Sequence, residues 1–185
     1  MLAYNEIVQR KYIVMDGEPY EVISSHVFRK QQRKPVNQTK LKNLLTGKVV
    51  EKSFHQAEKV DEADIERKNI KYLYNNKGEF WFCEENDPST RFSLSTDIIS
   101  GSQFMKQNSI VDARVFDERI ISVSLPIKVT LLVKEAPPAV KGNTATGANK
   151  LVVLETGATV GVPIFVKEGD VIEVNTETGE YTGRV

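Results

Sequence analysis

The sequence predicts an all-β protein built of small barrels, and three features of the 185-residue chain point to this class. Short runs rich in β-branched and aromatic residues recur along the whole chain, as is typical of strands. Turn signals separate these runs at close spacing, which is typical of small barrels. Helical signal is confined to residues 95–99 and 102–107, and each is long enough for only a turn or two.

Three hairpins are predicted in chain order from their turn residues. In the first, Asp16-Gly17 opens a turn over residues 16–19, because this dipeptide supplies the positive φ that tight turns need. The three pairs of runs are Tyr12–Met15 with Tyr20–Ile23, Ile70–Tyr74 with Glu79–Cys83, and Val171–Val174 with Glu180–Thr182. Further strands are expected at Ile110–Phe116, Ile120–Leu125, Lys128–Val133 and Leu151–Leu154.

Two breaks divide the chain into three units of similar length. The acidic run at residues 61–64 precedes a new set of strands, and Leu125-Pro126 lies between two β-rich runs. We therefore expect domains at residues 1–64, 65–127 and 128–185. Domains this small bury little apolar surface and are marginally stable alone, so we expect them to pack against one another.

The composition predicts a soluble, cytoplasmic protein without a catalytic or metal centre. No apolar stretch approaches the ~18 residues that span a membrane, and the N-terminus lacks the features of a signal peptide. One cysteine, Cys83, and two histidines, His26 and His55, leave too few ligands for common zinc sites. No phosphate-binding glycine loop before a helix and no Gly-x-Ser-x-Gly motif is present. We therefore expect no cofactor and no enzymatic activity.

Positive charge is concentrated in one segment of a chain whose net charge is zero. Between residues 26 and 52 there is one acid, Glu51, and eight basic residues: Arg29, Lys30, Arg33, Lys34, Lys40, Lys42, Lys48 and Lys52. The pattern predicts a strand that runs into a polar tip, followed by a returning strand over residues 36–44. The tip is either a solvated basic loop without a ligand or a contact to a polyanion, which would supply the missing counter-charge.

Motifs along the whole chain resemble the bacterial elongation factor P family. In the first two predicted domains they are Met15–Tyr20, Leu44–Lys52, Tyr72–Tyr74, Glu79–Trp81 and Ile121–Val123. In the third they are Lys141-Gly142, Lys150, Thr156-Gly157, Val162–Val166, Gly169-Asp170 and Thr178–Tyr181 with Arg184.

The resemblance implies an L-shaped array that mimics tRNA, with a KOW/SH3-like barrel followed by two oligonucleotide-binding-type barrels. It also implies a translation factor that binds the ribosome, both its RNA and its proteins, beside the peptidyl-tRNA. There the family relieves stalling at consecutive prolines: its hairpin reaches the acceptor end of the peptidyl-tRNA, and ribosomal RNA makes the bond. A protein that fills a tRNA slot is expected to act as a monomer.

The resemblance also assigns candidate RNA contacts. The hairpin tip that would contact the peptidyl-tRNA comprises Lys30, Gln31, Gln32, Arg33 and Lys34. Further candidates are Arg29, Lys40, Lys42, Gly142, Asn143, Thr144, Tyr181 and Arg184. Asn143 replaces the aspartate that the family usually has in its Gly-Asp-Thr loop, so this contact loses a charge.

The tip residue departs from the family pattern. Gln32 aligns with a position that is Lys or Arg in most members and that an enzyme extends. Since glutamine is not a substrate for lysyl- or rhamnosyl-type extension, we expect an unmodified tip. A loop shift of one or two residues would instead place Lys30, Arg33 or Lys34 at the tip, with a modifying enzyme as a partner.

Two other functions stay open at this point. The unusual tip is compatible with a paralogue of elongation factor P that has an altered hairpin. A generic single-stranded RNA-binding protein made of oligonucleotide-binding barrels would instead expose aromatic side chains on one barrel face. The aromatic residues available for such a face are Tyr72, Tyr74, Phe80, Trp81 and Phe82.

Overall fold

The computed structural model describes residues 1–29, 34–138 and 149–185, and most of these residues lie in strands. Two short 3-10 helices, Thr96–Ile98 and Ser102–Phe104, fall where the sequence predicts a helical turn or two. The predicted all-β class is therefore confirmed. The chain divides into two compact units, residues 1–68 with 114–122, and residues 69–113 with 123–185. The three-domain division at residues 64 and 127 stays a prediction.

The first sheet has six strands in the order β1-β6-β2-β3-β4-β5. They are β1 (Leu2–Ala3), β2 (Tyr12–Met15), β3 (Glu18–Phe28), β4 (Val36–Asn43), β5 (Val49–His55) and β6 (Lys59–Glu62). Met15 pairs with Glu18, so the first turn contains only Asp16 and Gly17, both at positive φ. The predicted four-residue turn is thus shorter, because Glu18 and Pro19 already belong to β3. The core of the sheet includes Ile7, Ile13, Val22, Leu41 and Phe54.

The second sheet also has six strands, in the order β10-β12-β11-β7-β8-β9. They are β7 (Glu66–Asn76), β8 (Glu79–Glu84), β9 (Arg91–Ser95), β10 (Ile99–Ser100), β11 (Ile110–Phe116) and β12 (Arg119–Ser124). The turn between β7 and β8 consists of Lys77 and Gly78, again with both residues at positive φ. Two positive φ angles match the right-handed twist of paired strands, and this explains the tight hairpin.

The third sheet has five strands in the order β15-β14-β13-β16-β17. They are β13 (Lys128–Glu135), β14 (Asn149–Leu154), β15 (Thr159–Pro163), β16 (Val171–Asn175) and β17 (Tyr181–Arg184). β13 pairs with β16 through Leu132 and then with β14 from Val133, with a register irregularity before Glu135. One strand therefore serves both halves of the sheet, which curves around a core of aliphatic side chains.

That core also contains Phe104, which comes from the 3-10 helix before β11. Phe104 is 3% exposed, and a Cβ added at Gly179 would lie 3.7 Å from its ring. Nearby, Lys106 Nζ donates to Glu155 Oε1 over 2.9 Å, and the Leu132 N–H donates to the same oxygen over 3.0 Å. Side chains from residues 102–106 are thus packed and hydrogen-bonded against the third sheet.

Candidate nucleic-acid interface

The predicted hairpin tip, residues 30–34, connects β3 and β4, which form a long hairpin. Their ladder runs from the pair Tyr20–Asn43 to the pair Phe28–Val36, with one irregularity between Val22 and Ser24. Arg29 and Lys34 follow the last pair, and both are exposed. The other predicted tip residues, Lys30, Gln31, Gln32 and Arg33, lie outside the described residues.

Strict alternation along β4 decides which side chains face solvent. Asn37, Thr39, Leu41 and Asn43 are buried, whereas the residues between them are exposed: Gln38, Lys40 and Lys42. Side chains of a strand point alternately to its two faces. The candidates Lys40 and Lys42 therefore lie together on the outer face of the sheet.

The buried side of β4 is held by side-chain hydrogen bonds rather than by packing alone. Asn37 Nδ2 donates to the carbonyl oxygens of Tyr4, over 2.6 Å, and Ile7, over 2.8 Å. Asn43 Oδ1 accepts from the backbone N–H groups of Leu45 and Thr46 after the strand ends. Both asparagines satisfy backbone groups that have no strand partner, so the hairpin is tied to the body of its sheet at two points.

The outer face is less positive than the sequence count suggests. Lys40 lies opposite Glu51 on β5, and the two side chains form an ion pair of 3.3 Å in which both are more than half exposed. Exposed pairs of this kind contribute about 0–1 kcal/mol. Lys52 lies on the other face of β5, with its ammonium 5.3 Å from the centre of the Phe54 ring. Glu51 therefore offsets part of the positive charge of Lys40 on this face.

Five residues that the sequence did not single out as RNA contacts share this outer face near the end of the ladder. In register, Phe28 lies opposite Val36, which in turn lies opposite His55, and the next row contains His26 opposite Gln38. The rings of His26 and Phe28 stack with centroids 6.1 Å apart. Alternation along β3 alone places His26 and Phe28 on one face, whereas the position of His55 beside them depends on the register of β4 with β5.

The predicted contacts near the C-terminus have different environments. Tyr181 is half-buried and packs against the core of the third sheet, and its contact with RNA stays a prediction. Arg184 is exposed, with its guanidinium 3.8 Å from an Asp170 carboxylate oxygen and 5.8 Å from the centre of the Phe165 ring. Asp170 and Phe165 thus orient the one C-terminal cation that the resemblance assigns to RNA. Gly142, Asn143 and Thr144 lie outside the described residues.

Carboxylates in the third sheet are engaged by neighbouring donors. Hydrogen bonds from the Lys128 ammonium and the Thr182 hydroxyl lower the pKa of Glu173. Burial alone would raise the pKa of Glu155, but the Leu132 N–H and the Lys106 ammonium lower it to a net value below the usual range. Both acids therefore stay ionised as structural partners of lysines.

Within residues 1–29, 34–138 and 149–185, no group of three or more His, Cys, Asp or Glu side chains is arranged to hold a metal ion. Cys83 is buried in β8 as a free cysteine, as expected of a small core residue.

The same part of the chain contains no helix that is long and apolar enough to cross a membrane.

Two family models match the chain. Residues 5–60 match the elongation factor P (EF-P) KOW-like domain, and residues 129–184 match the elongation factor P C-terminal domain. Among curated relatives, elongation factor P of Carboxydothermus hydrogenoformans is 37% identical over 186 residues, and the alignment covers 100% of each chain. The corresponding protein of Desulforudis audaxviator is 37% identical over 185 residues, again with 100% of each chain covered.

Two solved structures share part of the fold. The eukaryotic translation initiation factor 5A from Methanococcus jannaschii superposes with a TM-score of 0.55 and 14% identity, covering 66% of this chain and 92% of its own. A protein of the same initiation factor family from Naegleria fowleri gives a TM-score of 0.51 and 12% identity, covering 67% and 96%. At these identities the likeness concerns the fold alone.

Proposed function

Because this chain belongs to the elongation factor P family, we propose that it binds the ribosome beside the peptidyl-tRNA and promotes peptide-bond formation at consecutive prolines. The chain is a translation factor by family. Its proposed partners are ribosomal RNA, ribosomal proteins and the acceptor end of the peptidyl-tRNA, and it acts as a cytoplasmic monomer. The three predicted barrel domains would span the slot that a tRNA occupies.

The hairpin of β3 and β4 is the observation that supports this proposal. Its ladder continues to the pair Phe28–Val36, and exposed Arg29 and Lys34 lie in the connection that follows this pair. Lysines and arginines bind phosphate by neutralising its charge and releasing counterions. A tRNA acceptor end offers such phosphates together with unpaired bases that glutamine side chains such as Gln31 and Gln32 can recognise.

Positioning explains how such a factor accelerates a reaction that it does not perform. Ribosomal RNA makes the peptide bond, and the protein restricts the motion of the tRNA end that carries a stiff prolyl chain. Alignment of two reactants lowers the entropic part of the barrier. A tenfold faster step requires only about 1.4 kcal/mol, so a few phosphate contacts at residues 29–34 suffice. On this proposal the protein is not an enzyme.

We further propose that the tip works without a covalent extension, since Gln32 aligns with the residue that is modified in most members. Lys30, Arg33 and Lys34 would then contact tRNA phosphates directly. The intact mass of the natively expressed protein tests this point, and an adduct on residues 30–34 would contradict it. In that case Lys30, Arg33 or Lys34 occupies the tip and a modifying enzyme is a further partner.

In vitro translation of a message with three consecutive proline codons tests the proposed function. We expect the protein to restore full-length product, and a message without the proline run serves as the control. The variant Arg33→Ala/Lys34→Ala should rescue less, and its ribosome binding should depend less steeply on salt because two phosphate contacts are lost. An absence of rescue by the unaltered protein would remove the functional proposal.

A paralogue of elongation factor P is the second candidate, and Gln32 is the feature that favours it. A second copy in the same genome with Lys or Arg at the tip would support this assignment. Such a paralogue would leave the three-proline message unrescued while still binding the ribosome.

A further inference from the structure

An irregularity in β7 places two aromatic rings on the outer face of the second sheet. Tyr72 pairs with Phe82, but Tyr74 pairs with Trp81, so one extra residue, Leu73, is inserted in β7. Residues two apart on a regular strand share a face, and the insertion separates them. Tyr72 is consequently 7% exposed, whereas Tyr74 is 41% exposed. The rings of Tyr74 and Trp81 stack with centroids 6.1 Å apart and planes inclined by 19°.

Tyr74 also lines a cleft of about 470 Å³ within the second unit, a volume in the range of small-ligand sites, roughly 300–1,000 Å³. Its lining includes amide side chains and one ion pair: Asn75, Gln107, Asn108, Lys106 and Glu155. Amides can donate and accept simultaneously, as the edges of nucleobases require. Lys106 uses one of its three N–H donors for Glu155, so two remain for a phosphate or ribose oxygen.

Charge is distributed unevenly around the stacked pair. In register, Cys83 lies between Lys71 and Arg91, and Cys83 is two residues from Trp81 on the same strand. Lys71 and Arg91 therefore occupy the outer face on one side of the rings. Glu79 lies on the same face on the other side. A polyanion that crosses this face would run from the rings toward the two cations and away from the carboxylate.

We propose that this cleft binds one unpaired nucleotide of an RNA strand, whose base stacks on Tyr74 and whose neighbouring phosphates contact Lys71 and Arg91. We refer to it as the Tyr74 site. It belongs to the second compact unit, whereas the basic hairpin belongs to the first, and it goes beyond the proposed function, which uses the hairpin tip. Stacking suits any base, because every base has a π-face, and the amides of the cleft then read its edge.

The only tryptophan of the chain provides the measurement. The ring of Trp81 stacks on Tyr74, so a base bound in the Tyr74 site should quench the fluorescence of Trp81. The excitation wavelength is chosen beyond the absorption of adenine. We expect the adenosine trinucleotide ApApA to quench saturably, with a log–log salt slope no steeper than about −1.4, because ApApA has two phosphates and each contributes about −0.7. Adenosine monophosphate should bind several-fold more weakly, since it has one phosphate and can contact only one of Lys71 and Arg91 through it. An equal affinity for the mononucleotide would assign the cleft to free nucleotides and overturn the proposal.

Variants separate stacking from other effects. Tyr74→Leu should weaken ApApA binding about tenfold or more, measured by calorimetry because this change also alters the environment of Trp81. Tyr74→Phe keeps the ring and should bind nearly normally. Tyr12 is a half-buried tyrosine of the first sheet. The variant Tyr12→Leu is therefore the matched control and should leave ApApA binding unchanged. Absence of ApApA binding, or equal binding by Tyr74→Leu and the unaltered protein, would overturn the proposal. If this face binds a protein and not RNA, the titration with ApApA will give no signal, and that result also overturns the proposal.

Discussion

At the scale of single residues, Asn37 is the side chain that ties the hairpin to the N-terminal segment. It is fully buried and donates to two carbonyl oxygens, while its own Oδ1 has no hydrogen-bond partner among the described residues. The sequence predicts a strand at this position but not the burial of Asn37, because asparagine is more typical of turns and surfaces. A buried asparagine that serves a neighbouring loop has no local signature.

Replacing Asn37 by Ala should destabilise the protein by about 2 kcal/mol, because the carbonyls of Tyr4 and Ile7 lose their donor while remaining buried. Urea unfolding followed by circular dichroism measures this change. Gln38→Ala, on the exposed face of the same strand, is the control and should stay within about 0.5 kcal/mol. Equal effects of the two variants would show that the Asn37 hydrogen bonds contribute nothing.

Glu155 gives stability a defined pH dependence. Its pKa is lowered overall in the folded protein, since the Leu132 N–H and the Lys106 ammonium outweigh the opposing effect of burial. Its contribution is therefore fully present above the pKa of the unfolded state and is lost as the pH falls through the lower, folded pKa.

Glu155→Gln should consequently lower stability at pH 7 by about 1 kcal/mol, a value reduced for the partial exposure of the ion pair. The difference from the unaltered protein should shrink as the pH falls, once the carboxyl group is protonated in both states. Urea midpoints of the two proteins across the acid range test this. A constant difference at every pH would mean that the charge of Glu155 is irrelevant.

At the scale of elements, several strands were predictable from β-rich runs, whereas the conformation of a turn was predictable only where the turn contains glycine. Asp16-Gly17 and Lys77-Gly78 both adopt the positive φ angles that their sequences predict. The turn at Asp117 and Glu118 has two positive φ angles without a glycine, so no local signal marks it. β5 was missed as a strand because six of its seven residues are exposed, which removes the apolar alternation that identifies strands.

In the candidate site, too, some features follow from local sequence pattern and others do not. Exposure of Lys40 and Lys42 follows from alternation along β4, whereas the Lys40–Glu51 pair depends on the register between two strands. The packing of Tyr181 on the core of the third sheet was likewise not predictable from local pattern, while its contact with RNA stays a prediction. Register and packing depend on residues far apart in the chain, and local patterns do not contain them.

Gly78→Ala tests the cost of one such turn. The added Cβ would meet no atom within 4 Å, so the expected loss of about 1 kcal/mol comes only from the positive φ of 88°. Gly161→Ala is the matched control, since its Cβ is equally unobstructed and its φ is not positive. Thermal unfolding should place the Gly78 variant several degrees below the control, and equal melting temperatures would contradict this account.

At the scale of the whole molecule, the predicted boundary at residue 127 separates side chains that share one core. Phe104 belongs to the predicted second domain by sequence, yet it is buried among Leu131, Val133 and other residues of the third sheet. The Thr176 hydroxyl likewise donates to the carbonyl oxygen of Pro126 over 2.8 Å. A boundary drawn from composition marks where strands stop, and it cannot show where an aromatic ring is buried.

Phe104→Ala should therefore destabilise the protein by about 3 kcal/mol, because it leaves a cavity in the core of the third sheet. The control is Phe165→Ala, whose ring is 54% exposed and whose removal should cost less than about 1 kcal/mol. Urea unfolding of both variants decides the matter. A small effect of the Phe104 change would mean that the third sheet packs without it.

β5 is the last strand of the first sheet, and its residues have a consequence for self-association. If two copies of the protein paired β5 antiparallel over its full length, the central residue, Lys52, would lie opposite its own counterpart. Two ammonium groups at that distance repel each other, and charged residues on outer strands discourage edge-to-edge growth. Lys52 is therefore expected to disfavour edge-to-edge pairing of β5 between two copies of the protein.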